Sequence, residues 1–85
     1  MKKVILPHFG LFLKAAREEM GMTQQRLADL AAIERNYVYY LESGRADPSL
    51  TVLRNLASAL GMTFTEFATK IDQAFAANKS NFVRN

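Results

Sequence analysis

The stretch that decides the fold is GMTQQRLADLAAIERNYVYYLESGRADPSLTVLRNLASALG, residues 21–61. Apolar residues recur in it at the three- and four-residue spacing of amphipathic helices, and turn signals separate the apolar runs. Thr23 and Ser49 are good N-cap residues, and Gly44 and Gly61 are good helix stops. The pattern predicts three successive helices, at about residues 24–31, 34–43 and 49–60.

Two further helices are predicted around this stretch. Apolar residues repeat at helical spacing before Gly21, which predicts a helix over about residues 9–20. Thr63 and Glu66 form a capping-box pattern, so a last helix is expected over about residues 64–77. The chain is therefore predicted to be all-α, with one five-helix domain at 9–77 between an N-terminal arm, 1–8, and a polar, frayed tail, 78–85.

The residues expected to face the core follow the same spacing. They are Leu11, Phe12, Ala15, Ala16 and Met20 in the first predicted helix, Leu27, Ala28 and Ala31 in the second, Val38 and Leu41 in the third, and Leu50, Leu53, Leu56, Ala57 and Leu60 in the fourth. The fifth predicted helix carries a broad apolar stripe, formed by Phe64, Phe67, Ala68, Ile71, Ala74 and Phe75.

Length and composition bound the class of protein. With 85 residues, 49% of them hydrophobic and 22% charged, the chain fits one small globular domain rather than a disordered segment. The absence of cysteine removes disulfides and thiolate metal sites and fits a reducing compartment. A net charge of +3 weakly favours a polyanionic partner.

Apolar runs and terminal segments give no sign of a membrane protein. No run approaches the roughly 20 residues that a membrane helix requires, so we expect no membrane role and a cytoplasmic location. The start, MKKVILP, is too short for a signal peptide and has no small-residue cleavage site. Its role stays open between a disordered arm, an edge strand and part of a dimer contact.

The second and third predicted helices lie at the separation of a helix-turn-helix. Two helices that cross steeply over so short a turn need a small residue where their backbones approach, and Ala28 occupies that place. With Val38 and Leu41 directed to the core, the third helix is left with an exposed polar and aromatic face. That face holds Arg35, Asn36, Tyr39 and Tyr40, with Glu34 at its start. Such a helix is suited to the major groove of DNA.

Several local patterns complete a resemblance to a known family. They are the Thr23–Gln24 start of the second helix, Leu27–Ala28 within it, Glu42 and Gly44 closing the third, the Pro48–Ser49 start of the fourth and its Ala59–Leu60–Gly61 end. Together they resemble the phage-repressor and Cro type of helix-turn-helix, the XRE family, over roughly residues 9–67. The resemblance implies a lambda-repressor-like domain that binds double-stranded DNA.

The resemblance also implies roles for residues at matching positions. The base-reading residues would be Arg35, Asn36 and Tyr40, together with Tyr39 and Tyr37. The phosphate contacts would come from Thr23, Gln24, Ser43, Arg45 and Ser49. Arginine suits guanine and asparagine suits adenine, each pairing through two hydrogen bonds. Arg17 and Glu42 fall where the family has a buried salt bridge, and the same pair is expected here.

Two positions depart from the family pattern. Ala32 stands at the turn, where glycine is usual, so it must take a left-handed backbone or shift the turn. Glu34 replaces the usual Ser or Thr cap, and its carboxylate either weakens nonspecific DNA affinity or accepts a hydrogen bond from a cytosine amino group. The order Glu34, Arg35, x, Tyr37 and the chain length resemble the restriction-modification controller branch of the family.

The remaining aromatic residues leave alternatives open. One helix cannot direct all three of its tyrosines outward, namely Tyr37, Tyr39 and Tyr40. For Tyr37, packing in the core and contact with DNA are equally favoured. On the last helix Phe64 and Phe67 are expected to seal the monomer core. The apolar stripe continues past the reach of four short helices, so a two-fold dimer is expected, with its interface at Phe67, Ile71 and Phe75.

The function favoured by the sequence is a homodimeric, sequence-specific DNA-binding regulator on a partly palindromic operator. Two alternatives are an antitoxin that represses its own toxin–antitoxin pair and an adaptor that keeps the helix-turn-helix fold to bind another protein. The sequence offers no nucleophile with a base and no paired carboxylates, so no enzyme activity is expected. His8 stands alone, and neither a metal nor a cofactor is expected.

Overall fold

The computed structural model describes residues 7–82, with side chains described from His8 to Ala76. Every regular element in that range is an α-helix. The helices are α1 (Pro7–Glu19), α2 (Gln24–Ala31), α3 (Arg35–Glu42), α4 (Leu50–Ala59) and α5 (Phe64–Phe82). The predicted all-α, five-helix architecture is therefore confirmed, and the arm before Pro7 lies outside the described residues.

Both outer helices are longer than the sequence predicted. α1 begins at Pro7 rather than residue 9, because proline is well suited to the first helical position, where its missing N–H has no partner to lose. α5 continues to Phe82 rather than ending near residue 77, since no glycine or proline follows to stop it. The predicted helix end near residue 77 is thus wrong, and residues 83–85 lie outside the described range.

Side-chain caps fix the starts of three helices as the sequence indicated. The Thr23 hydroxyl accepts from the Arg26 N–H at 3.0 Å, and the Ser49 hydroxyl accepts from the Val52 N–H at 3.1 Å. At the start of α5 the Thr63 N–H donates to the Glu66 carboxylate at 2.9 Å, and the Glu66 N–H donates back to the Thr63 hydroxyl at 3.0 Å. Each cap satisfies backbone groups that the helix itself leaves unpaired. At α3, Glu34 holds the cap position without a side-chain hydrogen bond.

One core unites all five helices. Its buried apolar residues are Phe9, Leu13, Ala16, Leu27, Ala28, Ala31, Val38, Leu41, Leu56, Ala57, Leu60 and Phe67. The Phe67 ring meets the Phe9 ring edge-on at 6.3 Å and the Phe12 ring at 5.6 Å, which joins α5 to α1. The inward faces predicted for α2 and α3 are confirmed.

The inward face predicted for α1 is confirmed only in part, since Ala16 is buried and Phe12 packs against the core as expected. Phe9, Leu13 and Ala16 enter the core, whereas Leu11 is 65% exposed and Ala15 and Met20 are also exposed. Both rows of apolar residues have helical spacing, so periodicity alone could not choose between them. The leading residue expected to be inward on α4, Leu50, is likewise 63% exposed.

Gly10 explains which face of α1 turns inward. A Cβ added at this glycine would lie 2.5 Å from the carbonyl oxygen of Leu41 and 2.6 Å from that of Glu42. The backbone of α1 therefore approaches the end of α3 more closely than any side chain allows. This contact rotates the helix so that Leu13 and Ala16 follow Gly10 towards the core.

Four helix ends share one hydrogen-bond pattern. In each, a residue one or two positions past the helix has positive φ, and the next N–H donates to the carbonyl five residues back, as from Ile33 to the Ala28 carbonyl at 3.0 Å. Glycine takes the positive φ at three of these ends, Gly21, Gly44 and Gly61. Ala32 takes it at the end of α2, with φ 59° and ψ 42°, so the turn keeps its geometry in spite of the alanine.

Candidate nucleic-acid interface

The turn between α2 and α3 directs one face of α3 away from the core. Ala28 is buried where α2 and α3 pack, and Val38 and Leu41 fix the inner side of α3. The outer side is the face that the sequence predicted. It exposes Arg35, Asn36, Tyr39 and Tyr40, with Glu34 exposed just before the helix.

A continuous set of hydrogen bonds links this face to the interior, and we call its five residues the polar relay. They are Arg17, Glu42, Gln24, Arg35 and Asn36. Gln24 stands in the middle, with its Nε2 donating to Glu42 Oε1 at 3.0 Å and its Oε1 accepting from Arg35 Nη1 at 3.3 Å. Arg35 Nη2 in turn donates to Asn36 Oδ1 at 3.1 Å.

The inner end of the polar relay is the ion pair that the resemblance implied. Arg17 Nε donates to Glu42 Oε2 at 2.6 Å, and Arg17 Nη2 donates to Glu42 Oε1 at 3.0 Å. Both residues are buried, and Arg17 Nη1 also donates to the Met22 carbonyl at 2.7 Å. The hydrogen bond with Glu42 raises the pKa of the Arg17 guanidinium above its usual value, against the opposing effect of burial. The pair ties α1 to α3 and to the turn before α2.

The residues predicted to contact phosphate lie at the helix ends around α3. Thr23 and Ser49 each accept a capping bond, which leaves their hydroxyl hydrogens free to donate. Arg45 is exposed in the loop after α3. Ser43 Oγ lies 3.3 Å from the Tyr40 carbonyl and donates to it. Both polar atoms of the Gln24 side chain are engaged in the polar relay, while its backbone N–H belongs to the first turn of α2.

The three tyrosines of α3 take different places. Tyr37 is half-buried and its hydroxyl donates to the Asp47 carbonyl at 3.3 Å, so it packs against the loop before α4. Tyr39 and Tyr40 are exposed, with ring centres 5.7 Å apart. A shallow open hollow of about 490 Å³ lies beside them, lined by Ile33, Glu34, Asn36, Tyr37 and Tyr40.

Lys14 also belongs to this surface, although it was not among the predicted site residues. Lys14 is exposed on α1 and borders an open hollow of about 130 Å³ with Gln24, Tyr39, Glu42 and Ser43. It therefore lines the same hollow as two of the predicted phosphate-contacting residues, Gln24 and Ser43. The signal was available in the spacing, because Lys14 precedes Arg17 by one helical turn.

The predicted dimer residues separate into two kinds. Phe67 is fully buried at 0% exposure within the single chain, so its assignment to the dimer interface is wrong. It is needed to fill the space between α1 and α5. Ile71 and Phe75 are half-buried, and the Phe75 ring meets the His8 ring edge-on at 6.0 Å. Leu11, one helical turn after His8, adds an exposed apolar side chain to this side of the molecule.

Two features of the described residues bear on other functions. None of the helices, as far as they are described, is long and apolar enough to cross a membrane. Residues 7–82 likewise hold no group of three or more His, Cys, Asp or Glu side chains placed to bind a metal ion.

The paired helices and the exposed face of α3 define a helix-turn-helix protein of the DNA-binding class. A family model described as helix-turn-helix matches residues 13–67, more than half of the 85-residue chain, so the chain belongs to this family. HTH-type transcriptional regulator y4dJ of Sinorhizobium fredii, itself uncharacterized, is 32% identical over 73 residues, which cover 86% of this chain and 90% of that protein. The immunity repressor protein of Bacillus phage phi105 is 42% identical over 53 residues, which cover 62% of this chain and 37% of the repressor.

Solved structures place the same fold among regulators. The restriction-modification controller protein C.AhdI from Aeromonas hydrophila has a TM-score of 0.68 and 34% identity, over 72% of this chain and 92% of that one. The controller protein C.Esp1396I has a TM-score of 0.78 over 89% of this chain and 99% of that one. Its identity is 21%, so this second likeness shows the fold alone. The resemblance to the XRE family and its controller branch is confirmed.

Proposed function

We propose that this chain is a homodimeric, sequence-specific DNA-binding regulator that acts on a partly palindromic operator. The observation that carries the proposal is the exposed face of α3. Arg35, Asn36 and Tyr40 are exposed on this face, while the opposite side of the helix is packed in the core. In a helix-turn-helix protein, the residues at the start of the second helix reach base edges in the major groove. Arg35 and Asn36 occupy that start.

Phosphate contacts would fix the orientation of α3 in the groove. The first turn of α2 offers unpaired backbone N–H groups and the positive end of the helix dipole, with the Thr23 hydroxyl beside them. Arg45 and Ser49 would reach the opposite strand from the loop and the start of α4, with Ser43 at the end of α3. Lys14 adds a charge on the α1 side. These contacts carry no sequence information, so they supply affinity that falls as salt rises.

A dimer would give the regulator its operator symmetry. The surface we assign to the dimer contact is formed by Leu11, Ile71 and Phe75, which leave apolar area exposed at the junction of α1 and α5. A two-fold axis through this surface would present two copies of α3 to successive major grooves, roughly 34 Å apart. Control would then follow protein concentration, through dimerisation and operator occupancy.

The test of DNA recognition is selection of bound duplexes from a random-sequence pool at near-physiological salt. We expect a two-fold-related motif with half-sites about one helical turn apart. Arg35→Ala should abolish the motif, whereas Arg26→Ala removes an equal charge from an exposed position of α2 and should keep it. Failure of the folded protein to enrich any motif would contradict the proposal and direct attention to protein partners.

The test of the dimer is sedimentation equilibrium on the intact chain. We expect the unsubstituted protein to sediment as a dimer and Phe75→Asp to sediment as a monomer, because a carboxylate cannot be buried in an apolar contact without a partner. Gln73→Asp places the same side chain at an exposed position of α5 and should remain dimeric. A monomeric unsubstituted protein would refute the dimer outright.

A further inference from the structure

We propose that the open hollow beside α3 is a site for 5-methylcytosine. In this site the Glu34 carboxylate accepts a hydrogen bond from the amino group of the base, and the apolar part of the lining receives its 5-methyl group. The hollow measures about 490 Å³ and is lined by Ile33, Glu34, Asn36, Tyr37 and Tyr40. The inference rests on the proposed DNA-binding function, and it adds to that function a base class and a response to methylation of the operator.

The hollow lies on the side of the molecule that would face DNA. Glu34 holds the cap position directly before α3, and Asn36 and Tyr40 belong to the exposed face of that helix. In a helix-turn-helix protein, the start of the second helix of the motif reaches base edges in the major groove. The groups that DNA would offer to the hollow are therefore those on the major-groove edge of the bases.

The carboxylate of Glu34 calls for a hydrogen-bond donor in that groove. Its side chain is exposed and caps no backbone N–H of α3. The neighbouring guanidinium of Arg35 is directed to Gln24 and Asn36. A carboxylate that enters the groove without a donor loses hydration without compensation and is repelled by the phosphates. The donors on the major-groove edge are the amino groups of cytosine and adenine, so Glu34 favours one of these two bases.

The rest of the lining is mainly apolar. Ile33 packs against the core, and two tyrosine side chains lie beside it. The hydroxyl of Tyr37 donates to the Asp47 carbonyl at 3.3 Å, so the polar atom of this residue is already engaged. On the major-groove edge, the apolar group that can contact such a lining is a methyl group at C5 of a pyrimidine.

One base carries the donor and the methyl group on neighbouring ring atoms. Cytosine has the amino group but only a hydrogen at C5, and thymine has the methyl group but turns its O4 acceptor towards the carboxylate. Adenine places the N7 acceptor beside its amino group. 5-Methylcytosine has the amino group at C4 and the methyl group at C5, and it satisfies both parts of the lining. The hollow is open and larger than one methyl group, so the methyl group displaces no side chain.

The test measures binding to four pyrimidines at one base pair of the selected operator. Glu34→Gln identifies this base pair, because selection is relaxed there. Cytosine, 5-methylcytosine, thymine and uracil are then placed at it in turn, each opposite its usual partner, and Kd is measured by fluorescence anisotropy at constant salt. The methyl group should tighten binding about fourfold, both from cytosine to 5-methylcytosine and from uracil to thymine. Cytosine should bind about tenfold more tightly than uracil.

Matched variants assign the two effects to the two parts of the site. Tyr40→Ala removes apolar lining and should reduce the methyl effect to below about twofold, while the preference for cytosine over uracil remains. Tyr39→Ala removes an exposed ring of the same helix that does not line the hollow, and it should keep the methyl effect whatever it does to overall affinity. Glu34→Gln should lose the preference for cytosine and keep the methyl effect. Glu19→Gln makes the same change at an exposed position of α1 and should match the unsubstituted protein.

Several results would overturn the inference and leave the regulator intact. They are equal or weaker binding of 5-methylcytosine relative to cytosine, tighter binding of thymine than of 5-methylcytosine, and an operator in which Glu34→Gln relaxes no base pair. A methyl effect that survives Tyr40→Ala has the same meaning, because it would then arise from the DNA itself. If the unsubstituted protein selects no motif, the proposed function fails and the inference falls with it.

Discussion

Replacing Ala32 by glycine should stabilise the protein. Ala32 has φ 59° and ψ 42°, a left-handed backbone that three glycines adopt at the equivalent helix ends. An L-residue in this conformation is disfavoured by roughly 1–2 kcal/mol. Glycine also increases the conformational entropy of the unfolded chain, and this offsets about 0.4–1 kcal/mol of the stabilisation. The free energy of unfolding of Ala32→Gly is therefore expected to rise by about 0.5–1 kcal/mol.

The assay is urea and thermal unfolding followed by circular dichroism. For a domain of this size, the gain corresponds to a rise in Tm of about 2–8 °C. The matched control is Gly61→Ala, since Gly61 has φ 75° and a Cβ there would meet nothing within 4 Å. It should lose about as much stability as Ala32→Gly gains, because backbone strain is its only cost.

The pair of variants decides whether the strain is real. If Gly61→Ala is destabilised and Ala32→Gly is not stabilised, the turn between α2 and α3 relieves the strain of Ala32 by some local contact, and the reasoning from equivalent turns is refuted. If neither variant changes the unfolding free energy, positive φ carries no measurable penalty in this fold.

Three further predictions concern the core and the tyrosines. Gly10→Ala should destabilise by about 1–3 kcal/mol or more in urea unfolding, because the new Cβ meets backbone oxygens of α3 that cannot give way. Glu42→Ala should lower the free energy of unfolding by about 3–5 kcal/mol, because it leaves Arg17 buried without its partner. The double variant Arg17→Met, Glu42→Leu should recover most of this stability. An unchanged melting temperature of Glu42→Ala would contradict the pairing. Tyr37→Phe should cost about 0.5–1.5 kcal/mol through the lost bond to the Asp47 carbonyl and keep the selected DNA motif, so a changed motif would instead make Tyr37 a base reader.

Local signals in the sequence determined where most helices begin and end. Thr23, Ser49 and the Thr63–Glu66 pair act on N–H groups a few residues away, so their effect could be read without the fold. The exposed face of α3 followed in the same way, since Val38 and Leu41 fix the opposite side. The Arg17–Glu42 pair was accessible only through the family resemblance, because the two residues are 25 positions apart in the chain.

Tertiary structure alone decided the features that depend on contact between distant segments. Two apolar rows of α1 had the same periodicity, and the close approach of Gly10 to α3 selected the row that entered the core. The sequence placed Phe67 both in the monomer core and in the dimer interface. Its ring contacts with Phe9 and Phe12 show that it is buried within one chain. For Gln24, the sequence provided only the residue type and its position at the start of α2, and it did not indicate where the side chain points. Its direction came from a carboxylate on one side and a guanidinium on the other, which the crossing of α2 and α3 brings together.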